Sequence, residues 1–153
     1  MKKLLFALFT AFILTAGALV EADAQTVSGS IGAVKRGGAT KGAIVLSIPG
    51  GLHVNSNRPN SQYAIPTVVR LSAVGAKIGA VSYPRGVNRK FGFSEDTINV
   101  YEGRTAFSFN LTVPASFKGN VVRVRAVVRY QACTDEVCYP PKSKEITLTA
   151  KVQ

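Results

Sequence analysis

Cys133 and Cys138 are the residues of this chain best suited to chemistry, and they are its only two cysteines. They lie in the segment Tyr130-Gln131-Ala132-Cys133-Thr134-Asp135-Glu136-Val137-Cys138-Tyr139-Pro140-Pro141. Two sulfurs form a disulfide when their Cα atoms approach within about 4.4 to 6.8 Å. Five steps of extended strand would separate them by roughly 16 Å, so a bonded pair requires the chain to turn between them. Such a pair either staples the turn or works as a dithiol that opens and closes. Exchange needs an attacking thiolate, a mixed disulfide and a second thiol to resolve it, and two cysteines supply both thiols. As a staple the ring is weak, since closing so small a loop stabilises by only about 2 kcal/mol in the chain-entropy model. Nearby charge tunes the thiolate: Lys142 and Lys144 favour it, while Asp135 and Glu136 oppose it.

His53, the only histidine, is a candidate for tuning the cysteines' protonation or orienting a partner, although a lone histidine is also commonly a packed or surface residue. Together with the two cysteines it forms a donor set that zinc or copper accepts in principle. Nothing in the spacing brings the three together, and neither a metal nor another cofactor is expected. No Ser-His-Asp set, no carboxylate pair among the acids after residue 24, and no glycine loop entering a helix is present. Hydrolase and kinase chemistry therefore have no support. Asn110-Leu111-Thr112 has the form of a glycosylation acceptor but sits in an expected strand and is assigned no role.

The N-terminus bears on which state the sulfurs occupy. Met1-Lys2-Lys3 is a short cationic start, Leu4 to Val20 is apolar apart from Thr10, Thr15 and Gly17, and Ala22-Asp23-Ala24 has the small-x-small pattern of a cleavage site. Together they read as a secretory signal peptide over residues 1–24, cleaved after Ala24; the other reading is an uncleaved membrane anchor. No cysteine follows the apolar run to carry a lipoprotein anchor, and no transmembrane segment is expected in the mature chain. Export takes the protein to a compartment where disulfides persist. The mature chain, residues 25–153, is long enough for one domain that folds without many crosslinks, which further weakens the staple reading. Its net charge is +11, because the leader carries two lysines and two acids. That charge favours anionic partners or surfaces at long range. The basic residues are dispersed, however, and accompany no nucleic-acid motif, so no nucleic-acid partner is expected.

The elements that must position the cysteines have a period of two. Phe107, Phe109, Leu111 and Val113 alternate with Ser108, Asn110 and Thr112, and Ile146, Leu148, Ala150 and Val152 alternate with Thr147, Thr149 and Lys151. Less regular strands are expected at 26–34, 42–48, 67–74, 77–82, 98–101 and 121–130. Breakers separate them at Gly37-Gly38, Pro49-Gly50-Gly51, Pro59-Asn60, Pro84-Arg85-Gly86, Glu102-Gly103 and Lys118-Gly119-Asn120. No helical stripe of ten residues stands out. Seven to nine short strands argue for an all-β fold, an immunoglobulin-like antiparallel β-sandwich forming a single domain after the signal peptide. A small barrel is the alternative. The cysteines fall between strands 121–130 and 145–152, at the tip of an expected hairpin.

Tyr130-Gln131-Ala132-Cys133 through Cys138-Tyr139-Pro140-Pro141 is similar to the signature of the N-terminal domain of the thiol:disulfide interchange protein DsbD, also described as the disulfide bond corrector domain family. Gly51-Leu52-His53-Val54-Asn55-Ser56-Asn57-Arg58-Pro59, Ile65-Pro66-Thr67, Tyr83-Pro84 and Val100-Tyr101-Glu102-Gly103 resemble further family elements in the same order. The resemblance implies a periplasmic immunoglobulin-like domain for residues 25–153. Its Cys133/Cys138 dithiol would take electrons from a membrane reductant and pass them to thioredoxin-like partners. It also implies that Cys138 bonds to the partner and Cys133 resolves, that His53 lies near the cysteines, and that an aromatic lid shields them. The stretch matching the lid is Asn88-Arg89-Lys90-Phe91-Gly92-Phe93-Ser94, with Phe91 or Phe93 as the shielding ring or, equally, as core residues. The chain has neither the membrane domain nor the thioredoxin-like domain that usually follows in the family. It is expected to act as a separate module with a membrane electron transporter and thioredoxin-like proteins encoded elsewhere. The competing reading is a non-catalytic immunoglobulin-like binding or structural domain whose loop disulfide is permanent.

Overall fold

Alternation dominates the computed structural model, which describes residues 25–153; the expected signal peptide lies outside the described residues. The strands are β1 (Thr26–Ile31), β2 (Ala39–Ser47), β3 (His53–Asn55), β4 (Val68–Ala73), β5 (Lys77–Ile78), β6 (Val87–Lys90), β7 (Thr97–Tyr101), β8 (Arg104–Thr112), β9 (Val121–Tyr130), β10 (Ala132–Cys133) and β11 (Lys142–Lys151). Among the described residues there is no α-helix, and hence no helix long and apolar enough to cross a membrane.

The strands form three sheets, with orders β1-β2-β8-β5, β11-β9-β4 and β10-β3-β7-β6, and every pairing between them is antiparallel. In β8 the inward set Thr105, Phe107, Phe109 and Leu111 is buried while its neighbours are exposed. In β9, Val122, Val124, Ala126, Val128 and Tyr130 are buried, and Arg123, Arg125 and Arg129 face outward. A side-chain period of two makes this one-sided burial fix the register. The inward faces of these two sheets, with Ile44 and Leu46 from β2 and Leu148 and Ala150 from β11, make one continuous core. The segment after β1 joins the two layers, since Val34 N donates to Lys151 O at 2.9 Å and Gln153 N donates to Val34 O at 2.9 Å.

The third sheet carries a separate, smaller cluster of Phe91, Ile98 and Val100, with Ala64 packed against it. Three of its four strands, β3, β6 and β10, lie outside the expected set. All are short, and none shows alternation: β3 is buried at every residue and β6 exposed at every residue. Their strand character comes from pairing with β7 and with each other. Two tight turns orient the sheet. Gly51, at φ 79°, ends the turn entering β3, and Gly103, at φ 61°, reverses the chain between β7 and β8. Both conformations favour glycine.

Candidate functional site around the Cys133–Cys138 disulfide

The cysteines lie in the connection between β9 and β11, beyond its last ladder pair Tyr130↔Lys142, and face each other near its tip, as expected. The chain leaves that sheet after Tyr130 and changes layer, so that Ala132 pairs with Val54 and Cys133 with His53. Gln131 anchors the change: its Nε2 donates to Tyr139 O at 3.2 Å, and its Oε1 accepts from Asn55 Nδ2 at 3.1 Å. Beyond it the chain forms a miniature hairpin. Tyr139 N donates to Ala132 O and Thr134 N to Val137 O, both at 2.8 Å. The Thr134 hydroxyl also accepts from the Glu136 and Val137 amides at 3.2 and 3.0 Å, leaving Asp135 and Glu136 at the turn. Between these two backbone links lies the bridge Cys133↔Cys138. This is a non-hydrogen-bonded antiparallel position, where facing side chains come closest. The Cα atoms are 4.0 Å apart, and the sulfurs are bonded at 2.01 Å.

The two sulfurs occupy different surroundings. Cys133 is fully buried against β3, whereas Cys138 is exposed on the returning arm. The exposed side opens onto a cleft of about 470 Å³ whose lining includes Cys138, Asn55, Tyr63, Phe93, Glu95 and Asp96.

His53 is brought beside the cysteines by strand pairing. Its ring is buried and stacks on Phe91, with centroids 4.2 Å apart and planes 12° apart. Phe91 stacks in turn on Phe93 at 5.3 Å and 4°. A three-ring column thus runs from the strand partner of Cys133 to the cleft of Cys138. The two phenylalanines differ in kind. Phe91 closes β6 and is only 6% exposed, in the small core, while Phe93 is 43% exposed and lines the cleft. Lys90 and the two residues before it, expected in a loop, belong to β6. The turn after β6 closes with Ser94 N donating to Phe91 O at 3.2 Å.

Burial holds the imidazole of His53 below its ordinary pKa of 6.5; Asp135 and Glu102 oppose this, and Arg89 adds to it. These charged groups line a second cleft, of about 320 Å³, with His53. Arg89 and Glu102 are paired at 2.7 Å. The His53 Nε2 atom is buried without a hydrogen-bond partner. Among the described residues no group of three or more His, Cys, Asp or Glu side chains converges to hold a metal.

Asn55, Tyr63, Glu95 and Asp96 were not singled out by sequence. Asn55 carried a signal, as part of the Gly-x-His-x-Asn element, whereas the others reach the cleft only through the folding of their loops.

Sheet and site together define an immunoglobulin-like antiparallel sandwich with a cysteine pair at bonding distance in a small side sheet. The family model described as "Thiol:disulfide interchange protein DsbD, N-terminal" matches residues 21–150, and the chain belongs to that family of thiol-disulfide exchange domains. Among solved structures, the N-terminal periplasmic domain of ScsB from Proteus mirabilis superposes with a TM-score of 0.58 at 12% identity, covering 84% of this chain. The chain spans 47% of that structure's length, and the likeness establishes the shared fold. The yeast GGA1 GAE domain follows at a TM-score of 0.45 and 9% identity, covering 88% of this chain and 96% of its own; at that level it carries no inference. No curated protein matches the chain.

Proposed function

We propose that residues 25–153 form a periplasmic exchange module, delivered by the signal peptide of residues 1–24, which relays electrons through Cys133 and Cys138 from a membrane reductant to thioredoxin-like proteins. The observation that carries this reading is the asymmetry of the disulfide, with one sulfur exposed at a cleft and the other buried behind it. An incoming thiolate reaches Cys138 Sγ. The new S–S bond forms there as the old one breaks, and the electron pair leaves on Cys133 Sγ. A second thiolate then attacks the mixed disulfide, releases the partner in oxidised form and leaves the dithiol, which runs the same steps in reverse on the next protein. Family membership and the periplasmic location of the ScsB domain support the setting. Phe93 is the better placed of the two rings to act as a lid over Cys138, with Phe91 and His53 stacked behind it to hold its plane.

A redox titration combined with trapping tests the proposal. The expected potential lies above about −300 mV, the level below which structural disulfides of exported proteins typically fall. Cys133→Ser is expected to trap a thioredoxin-like partner through Cys138. A lower potential without exchange would instead assign a permanent disulfide in a binding or structural domain, and trapping by Cys138→Ser alone would reverse the two roles.

A further inference from the structure

The cleft at Cys138 has a charge opposite to that of the molecule. The mature chain carries +11, yet of its six acids, Glu95 and Asp96 line this cleft and Asp135 and Glu136 form the turn beside the exposed sulfur. The last two are Glu102, paired with Arg89, and Glu145, paired with Arg125 on the β9–β11 face. No lysine or arginine lines the cleft, and the nearest cation shown is Lys90, whose ammonium donates to the Glu95 carbonyl at its edge. It also holds the exposed ring of Tyr63, the half-exposed ring of Phe93 and the apolar surfaces of Ala64 and Ile98, and Val137 is exposed next to Cys138.

We propose that this cleft is a docking site for a cysteine-bearing segment of a partner protein that carries basic residues beside its reacting cysteine. This rests on the exchange reading above and adds which partners the site accepts. Apolar contacts with Phe93 and Tyr63 would bury the segment, and the carboxylates would draw its lysines or arginines toward the rim. Local fields of this kind decide encounter at close range even against an opposite net charge, because exposed charges are screened beyond about 8 Å at physiological salt. The reaction at the end of the cleft is the exchange already written. The segment's thiolate bonds to Cys138 Sγ, Cys133 leaves with the electron pair, and a second thiolate completes the reduction.

Three synthetic peptides, each with one cysteine beside a leucine and flanked by lysines, serines or glutamates, test the proposal as reductants of the oxidised mature protein. Rates are expressed per thiolate. The lysine peptide is expected to be about five-fold faster than the glutamate peptide at physiological salt, where the net charge is screened, with the ratio shrinking toward one at about 1 M salt. E95Q/D96N is expected to bring the ratio close to one at physiological salt, and E145Q, which removes a charge outside the cleft, to leave it as it was. A faster glutamate peptide, as net charge alone would dictate, overturns the proposal, as does a ratio that E95Q/D96N leaves intact. Measurable exchange with no preference among peptides removes the docking proposal alone. No exchange with any peptide removes it together with the exchange reading. A solution dimer that E95Q/D96N abolishes would assign the cleft to a second copy of this chain and equally overturn the proposal.

Discussion

The sandwich and the small side sheet are made from the same kind of backbone, but they hold their aromatic rings for different ends. In the sandwich, Phe107 is completely buried and meets Tyr83 and Tyr101 edge-on, at centroid distances of 5.4 and 5.8 Å, inside a cluster fed by both layers. In the side sheet, Phe91 belongs to a cluster of three buried residues, and its ring is one layer of a stack that ends at solvent. The first arrangement maximises apolar area removed from water. The second leaves an exposed disulfide sulfur at the surface, with the partly exposed Phe93 ring lining the same cleft. The smaller cluster is where local opening is expected, since lids and binding loops come from the low-stability end of a structure.

Truncation of one ring in each region should break that symmetry most visibly. Phe107→Ala is expected to lower unfolding stability by about 3 to 5 kcal/mol. Phe91→Ala is expected to cost about 2 kcal/mol, below the usual range for phenylalanine because its cluster is small. Urea denaturation of the two variants measures the difference, and equal losses would contradict the contrast.

The next effect separates fold from site within the side sheet. Phe93→Ala should change stability by no more than about 1 kcal/mol, yet speed the attack of a small neutral reductant on the disulfide several-fold. Stopped-flow reduction against the parent protein reads this. Unchanged rates in both Phe91→Ala and Phe93→Ala would dismiss the lid.

A smaller effect concerns pH. The folded state holds His53 below its ordinary pKa of 6.5 through burial, so between those two values the unfolded chain binds more protons than the folded one. Its contribution to stability is therefore fully present above about pH 6.5 and is lost as the pH falls through the folded value. Denaturation midpoints measured from pH 8 to pH 5 should decline, and His53→Gln should flatten that part of the profile.

The smallest effect belongs to the sandwich surface. Arg125 and Glu145 make a two-pronged contact, with both bonds at 2.6 Å, on exposed strand faces. Each shifts the other toward its charged form. Solvent screening makes such pairs weak, and Glu145→Gln is expected to leave the thermal midpoint within error of the parent.

Legibility followed burial geometry. The strands of the sandwich, β8, β9 and the second half of β11, bury one face and expose the other, and their alternation was readable to within three residues. Of the side sheet only β7 was readable. A two-residue strand such as β10 has no period, β3 is buried throughout, and β6 is exposed throughout. The cysteines do face each other near the tip of the β9–β11 connection, where a short loop between two long strands is expected to place them, but nothing local shows that Gln131 and Asn55 hold that arm against β3.

The sequence by itself determined that a bonded Cys133–Cys138 pair requires a turn between its members, because five steps of extended strand would hold the sulfurs too far apart. It also determined the all-β class, because a period-two pattern is local information, whereas the choice of sandwich over barrel came with the packing of the sheets. Only the tertiary structure decided that Cys133 is buried and Cys138 exposed, that His53 stands opposite Cys133 with Phe91 and Phe93 stacked behind, and that Glu95 and Asp96 share a cleft with Cys138. Those facts depend on contacts between residues some 40 to 80 positions apart. Such contacts are set when sheets pack, and no local pattern encodes them.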